Sequence, residues 1–324
     1  MRTTIRTAGA TLAMMSAALS VAYAAPAASD PPTAWAFVVY DTPVEQPTLP
    51  AWVSVPGSLL RVPGERLDSD YYVPDWFPAD HPPMPEPVAH GRPPHLLPCA
   101  LCHMPTGVGD PGAAAIAGLP AAYIKQQFAE FRSGRRQCAV PKDLACSRAM
   151  PMMARAASAA ELAAAAEYFS HLTYHSRIHV REAVRVPATR DGGFELLKRA
   201  GDATQPIGER IIEVPDNALL EDEGDWRSGI TAYVPPGSIE RGRALVASGA
   251  GARPCAACHG AHFQGIGMAP PLAGRSPTYI VRQLYDIKYG YRRGPAVALM
   301  EPEVAHLSAP DRVDIAAYLA SLGN

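Results

Sequence analysis

The chain has 324 residues, with 29 Lys+Arg against 31 Asp+Glu, 48% hydrophobic residues and 19% charged ones. This is the make-up of an ordinary soluble globular protein, and it argues against a nucleic-acid binder or a membrane bundle. The 34 Pro and 26 Gly exceed the average share, so much of the chain is expected as loop or extended wrap, and the length sets a prior of two domains.

Residues 1–24 begin with Arg2 and Arg6, run uncharged from Ala8, and close on Ala22-Tyr23-Ala24, a small-residue site of the A-x-A kind. The segment reads as an export signal cut after Ala24, which places the mature chain in the periplasm or outside the cell, where disulfides persist. A membrane anchor competes, but the run is short for a span and rich in Ala, Ser and Thr. Residues 25–80 hold Trp35, Trp52, Tyr71, Tyr72, Trp76 and many prolines. That is too aromatic for a disordered linker, so an irregular but ordered N-terminal extension draped over the first domain is expected.

The first domain is expected over 81–175. Its prolines at 82, 83, 85 and 87 permit only a short helix over Glu86 to His90. Then comes Cys99-Ala-Leu-Cys102-His103, and the same frame returns as Cys255-Ala-Ala-Cys258-His259. C-x-x-C-H is the attachment pattern for c-type haem. Two thiols three positions apart on one helical turn add to the two vinyl groups on one porphyrin edge, and the next side chain, an imidazole, is carried under the iron as its proximal ligand. A zinc ribbon or a redox dithiol competes, but the two pairs lie too far apart for the first, no βαβ pattern supports the second, and neither uses the histidines.

The rest of each block repeats as well. At a constant offset of 156, Gly109, Gly118, Tyr123, Ile124, Gln127, Gly134 and Arg136 fall on Gly265, Gly274, Tyr279, Ile280, Gln283, Gly290 and Arg292. The offset then drops to 150, and Met150, Ser158, Tyr168 and Leu172 fall on Met300, Ser308, Tyr318 and Leu322. The extra residues of block one lie between Arg136 and Met150 and carry the remaining cysteines, Cys138 and Cys146. In an oxidising compartment these most simply form a local disulfide; a free redox pair or a Cys ligand to the first haem stays open. Ser158 with Glu161 reads as a capping box before a terminal helix over 162–172.

From 176 to 236 a linker is expected. Its runs Ile178/Val180, Val184/Val186 and 210–214 predict short strands, which with Trp35 to Tyr40 would make a small β ribbon. The acidic run Glu221-Asp222-Glu223 with Asp225 reads as a solvated loop. The second domain is expected over 237–324, with Ser238 capping a helix ahead of the haem motif and a terminal helix over 310–322.

Each block resembles a class I cytochrome c domain, and the pair resembles a periplasmic di-haem cytochrome c. The resemblance rests on the haem motif, the G-x-x-x-x-Y-I-x-x-Q helix, the Arg-containing loop, the methionine and the terminal helix with its Tyr, over about 90 residues around each motif. It implies a mainly α fold of small helical domains wrapped around two covalently attached haem c groups. Met150 and Met300 are the expected sixth ligands; Met152 or Met153 could replace Met150, Met268 rivals Met300, and His90, His95 and His262 are further alternatives. In related domains a proline carbonyl holds the proximal His; Pro270-Pro271 fits this in block two, whereas block one has Ala114 and Ala115, a less rigid loop. Arg136, Arg292, Tyr123 and Tyr279 are candidates for holding haem propionates, against a plain reading as solvated loop charges and helix-face aromatics.

No catalytic residue is assigned. The expected function is single-electron transfer between a dehydrogenase or quinol-oxidising complex and a terminal oxidase or reductase. The alternatives are an electron-transfer subunit of a larger dehydrogenase, or a di-haem enzyme of peroxidase or thiosulfate dehydrogenase type with one open or non-Met haem.

Overall fold

The computed structural model describes residues 34–37, 49–140, 143, 145–191 and 197–323. The export signal and its cleavage site lie outside the described residues. The elements in chain order are β1 (Trp52–Val53), β2 (Val62–Pro63), α1 (Gly64–Leu67), α2 (Glu86–Ala89), α3 (Ala100–His103), α4 (Ala121–Arg132), α5 (Met150–Ala156), α6 (Ala159–His171), β3 (Ile178–Glu182), β4 (Arg185–Asp191), β5 (Leu197–Pro206), β6 (Ile212–Pro215), α7 (Ala218–Asp222), β7 (Ile230–Val234), α8 (Ser238–Ser248), α9 (Ala256–His259), α10 (Pro277–Lys288), α11 (Glu301–Val304) and α12 (Ala309–Ser321). The series α2 to α6 and α8 to α12 follow the two sequence repeats, each with a short turn at the haem motif, a long middle helix and a terminal helix.

The long helices are amphipathic and bury one stripe. In the first repeat, Tyr123, Ile124 and Val88 pack with Ala165, Ala166 and Phe169 of α6. In the second, Val246 of α8, Ile280, Val281 and Tyr285 of α10, and Ile315, Ala316 and Leu319 of α12 share one core. Alanines along α6 and α12 let the helices approach closely. Gly242 carries this furthest, since a Cβ there would collide with the Asp314 carbonyl of α12. In both repeats the terminal helix accepts a bond from the turn before the middle helix: Gly118 N–H to Phe169 O and Gly274 N–H to Leu319 O, both 2.9 Å.

Helix starts follow local chemistry. Ser158 and Ser308 each form a capping box, with Glu161 and Asp311 respectively. Ser238 does not cap α8. The N-cap is Gly237 at φ 76°, and the Glu182 carboxylate of β3 accepts from the N–H groups of Gly237 and Ile239. Ser238 is instead fully buried and accepts from Arg241 Nη2.

Between the repeats, β3, β7 and β6 form a three-stranded sheet in the order β3-β7-β6, parallel then antiparallel, and β4 pairs with β5 as a separate antiparallel hairpin. The segment from Trp35 does not join them: Ala34–Ala36 is a 3-10 turn, and Phe37 packs edge-on against Tyr285 at 6.1 Å; Val38 to Tyr40 lie outside the described residues. The acidic run is also not a solvated loop. Glu221 and Asp225 are buried, and Glu221 forms a bidentate pair with Arg177 at 2.6 and 2.7 Å.

Over residues 49–80 the N-terminal extension is held by its aromatics, and it grips the linker as well as the first repeat. Trp76, Phe77 and Trp226 pack with Met104, just past the first haem motif. Trp76 Nε1 donates to Glu223 O, and Asp80 accepts from Trp226 Nε1 and Arg227.

Candidate functional site

The two C-x-x-C-H turns are built alike. Cys99 and Cys255 sit in αR conformation immediately before α3 and α9, so both cysteines and the histidine of each motif share one helical turn. His103 Nδ1 lies 2.8 Å from Ala114 O, and His259 Nδ1 lies 2.8 Å from Pro270 O. With Nδ1–H donating, the lone pair of Nε2 is left as the ligating position. A second bond ties each loop to its turn, from Gly109 N–H to His103 O at 3.0 Å and from Gly265 N–H to His259 O at 2.8 Å. Burial holds both imidazoles below their ordinary value, against the opposing pull of those carbonyls, so both are neutral and fit to ligate.

The first cysteine of each motif is set up as a thiol rather than a thiolate. Burial pushes Cys99 up to about 12 and raises Cys255 too, which disfavours zinc or thiol-exchange chemistry, both of which need the anion. Among the described residues, the group of Cys, His and acidic side chains close enough to share a metal is Cys138, Asp143 and Cys146, not the two motifs. Cys138 and Cys146 are themselves joined as a disulfide, with Cα atoms 5.9 Å apart.

A cavity of about 160 Å³ opens beside the first motif. Cys99, Cys102 and His103 form one wall, and Met150, Met153 and the Cys138–Cys146 bridge line another. Met150 starts α5 directly after a π-helical turn at Ala145–Ala149. Met152 points away, 44% exposed, and Met153 packs with Leu96 and Ala157. Met300 sits between the 3-10 turn Val297–Leu299 and α11, packed against the second core, whereas Met268 is 39% exposed. His90, His95 and His262 are exposed and outside the cavity lining.

Arg136, Arg292 and Tyr123 are buried, Tyr279 is half-buried, and the four meet each other across the repeats. Arg136 donates to Gln127 of its own repeat and to Tyr279 Oη and Gln283 of the other, at 2.8, 2.9 and 3.2 Å. Arg292 mirrors it, reaching Gln283, Tyr123 Oη and Gln127 at 2.8, 2.7 and 3.1 Å. Burial pushes the Tyr279 phenol up, but Arg136, Arg292 and Arg282 outweigh it and leave it below its ordinary value. Arg136 and Arg282 line the cavity beside Asp286, whose carboxyl burial raises to about 7. This excess of buried positive charge suits a group that brings its own carboxylates. Arg282 is absent from the candidates drawn from the sequence; the available signal was a charged residue on the apolar face of α10, three positions after Tyr279.

A neutral imidazole behind a two-cysteine turn, a thioether-lined cavity and adjacent buried guanidiniums fit covalent haem. Comparison with known proteins agrees. A family model described as Cytochrome c matches residues 239–323. The chain is 43% identical over 68 residues to cytochrome c-554(548) of Halomonas halodenitrificans, covering 21% of this chain and 82% of that one. It is 29% identical over 233 residues to the thiosulfate dehydrogenase electron acceptor of Thiomonas intermedia, covering 71% of this chain and 80% of that one. Among solved structures, a thiosulfate dehydrogenase from Marichromatium purpuratum aligns at 26% identity with a TM-score of 0.45, over 71% of this chain and 38% of that one. The chain belongs to the cytochrome c family. Covalently bound haem c is its cofactor and electron transport its class of work.

Proposed function

We propose that this protein is an exported two-haem electron carrier, with haem-binding domains over 81–175 and 237–324, a linker over 176–236, and a signal peptide removed after Ala24. Cys99 and Cys102 would bond the first haem and His103 and Met150 ligate its iron; Cys255, Cys258, His259 and Met300 would do the same for the second. The observation that carries this reading is the duplication of one arrangement, a C-x-x-C-H turn whose histidine donates from Nδ1 to a loop carbonyl at 2.8 Å in both repeats.

Bound haem c supplies a one-electron iron couple, which His/Met ligation raises in potential and closes to oxygen. The residues of the chain then have three tasks. The loop carbonyls fix the tautomer and direction of each imidazole. The apolar walls of the first repeat, Ile116, Leu119, Phe128 and Phe169, exclude water from the cavity. Arg136, Arg282 and Arg292, with Tyr123 and Tyr279, hold propionates by charge-assisted bonds where the two repeats meet.

The long alignment with proteins named thiosulfate dehydrogenase electron acceptors supports a dehydrogenase as donor. Among the described residues no helix is long and apolar enough to cross a membrane. The test is the far-red sulfur-to-ferric-iron charge-transfer band of the oxidised protein. Two equivalents per chain are expected; one or none points to an enzyme with an open or non-Met haem.

A further inference from the structure

We propose that the proximal histidine of the first haem is positioned by arginines from outside its own repeat, Arg275 and Arg282 of the second repeat with Arg177 of the linker. The inference rests on the two-haem reading above; it assigns a role to Arg275 and Arg177, which hold no haem themselves, and a second role to Arg282.

The loop from Gly109 to Ala117 carries the Ala114 carbonyl that holds His103. Arg275 donates from Nη1 to Ala115 O at 2.5 Å and from Nη2 to Ala117 O at 2.9 Å, holding the loop just after that carbonyl. Arg282 Nη2 reaches Gly112 O at 3.1 Å, and Arg177 Nη2 reaches Gly109 O at 2.9 Å. All three guanidiniums are buried, at 5%, 4% and 7% exposure. Arg275 also stacks on the Tyr174 ring, 3.8 Å from its centroid, and Tyr174 Oη donates to Gly274 O at 2.6 Å, so the residue is held on both sides. Planar donors fixed in this way restrain the direction of a carbonyl loop far better than solvent does.

The equivalent loop of the second repeat obtains its rigidity differently. Pro270 supplies the carbonyl for His259, and Pro271 after it restricts the Pro270 backbone. At the offset of 156, Arg275 corresponds to Leu119 and Arg282 to Gln126, so the first repeat has no guanidinium at these positions to return the contact. Covalent stiffness at the second site is thus replaced at the first by three clamps, two of which arrive only when the repeats are packed together. The positioning runs one way, from the second repeat to the first haem.

The hydrogen bond from Nδ1–H to the loop carbonyl makes an imidazole a stronger donor and so favours ferric iron. Loosening it raises the potential of that centre alone. Arg275→Lys keeps the charge but loses the paired donors, and Pro271→Ala loosens the other loop. In the purified holoprotein, potentiometric titration followed by NMR, which resolves the two haems, is expected to show a raised potential at one centre in Arg275→Lys and a shift at the other centre in Pro271→Ala. Arg177→Lys, at a residue outside the cavity lining, should move the same centre as Arg275→Lys, which keeps the test open if the latter folds poorly. The inference is overturned if the lysine variants leave both potentials unchanged, move both alike, or move the centre that Pro271→Ala moves. Failure of the two-haem reading is distinguishable, because the wild type itself would then titrate as one centre or none.

Discussion

Arg136 and Arg292, at equivalent positions in the two repeats, form an antiparallel backbone bridge, and each guanidinium reaches the tyrosine of the opposite repeat. Flanking bonds from Gln137 N–H to Tyr291 O and from Arg293 N–H to Arg135 O extend the contact. The junction is therefore close to two-fold symmetric in its arginines, while the arginines that reach the first haem loop break that symmetry.

Arg292→Leu would leave Tyr123 Oη and the Gln127 side-chain carbonyl without this donor in a buried setting. Unsatisfied buried groups cost about 1–3 kcal/mol, and a loss of that size is expected in urea unfolding of the holoprotein. Arg136→Leu should cost a similar amount through Tyr279 and Gln283.

Breaking the buried Arg177–Glu221 pair from one side is more costly. Arg177→Met strands a carboxylate whose value burial already raises against the pull of Arg177, and about 3–5 kcal/mol of stability should be lost. The double variant Arg177→Met with Glu221→Leu should recover most of it, in the same unfolding assay.

The Cys138–Cys146 bridge closes a short loop, with a sequence separation of 8. Chain entropy assigns such a closure about 2–3 kcal/mol. Replacing both cysteines by serine should lower the melting temperature accordingly. Because the bridge lines the cavity beside Met150, it should also weaken the charge-transfer band of the first haem.

Burial raises the Asp286 carboxyl from 3.8 to about 7, against the Ala139 N–H and the surrounding arginines. Its folded value exceeds its unfolded one, so the folded state takes up the extra proton. The associated stability is present below the unfolded value and is lost as pH rises through about 7. Wild type and Asp286→Asn should melt alike near about pH 4, with the variant gaining on wild type up to about pH 8.

What was legible in the sequence was local. A C-x-x-C-H turn, the capping box at Ser158, and the register of the repeats each depend on residues a few positions apart. Strands β3, β4 and β6 followed from alternation, but the 3-10 turn at Trp35 did not, because Phe37 packs against Tyr285 of the distant α10. The burial of Glu221 depends on Arg177, 44 residues upstream. Gly237 replaces Ser238 as cap because a carboxylate from β3 satisfies the helix start. Arg275 was invisible as a support for the first loop because its partners, Ala115 and Ala117, come within reach only through packing of the repeats.

The central claim is that the chain binds two haems, one through each cysteine pair. Intact-mass spectrometry of the mature protein from a host that matures c-type cytochromes tests it most directly, supported by the Cys99→Ala/Cys102→Ala and Cys255→Ala/Cys258→Ala variants. The account predicts a mass increment of two haems, reduced to one in each variant. A wild-type increment of one haem or none, or a variant that keeps both, would contradict it.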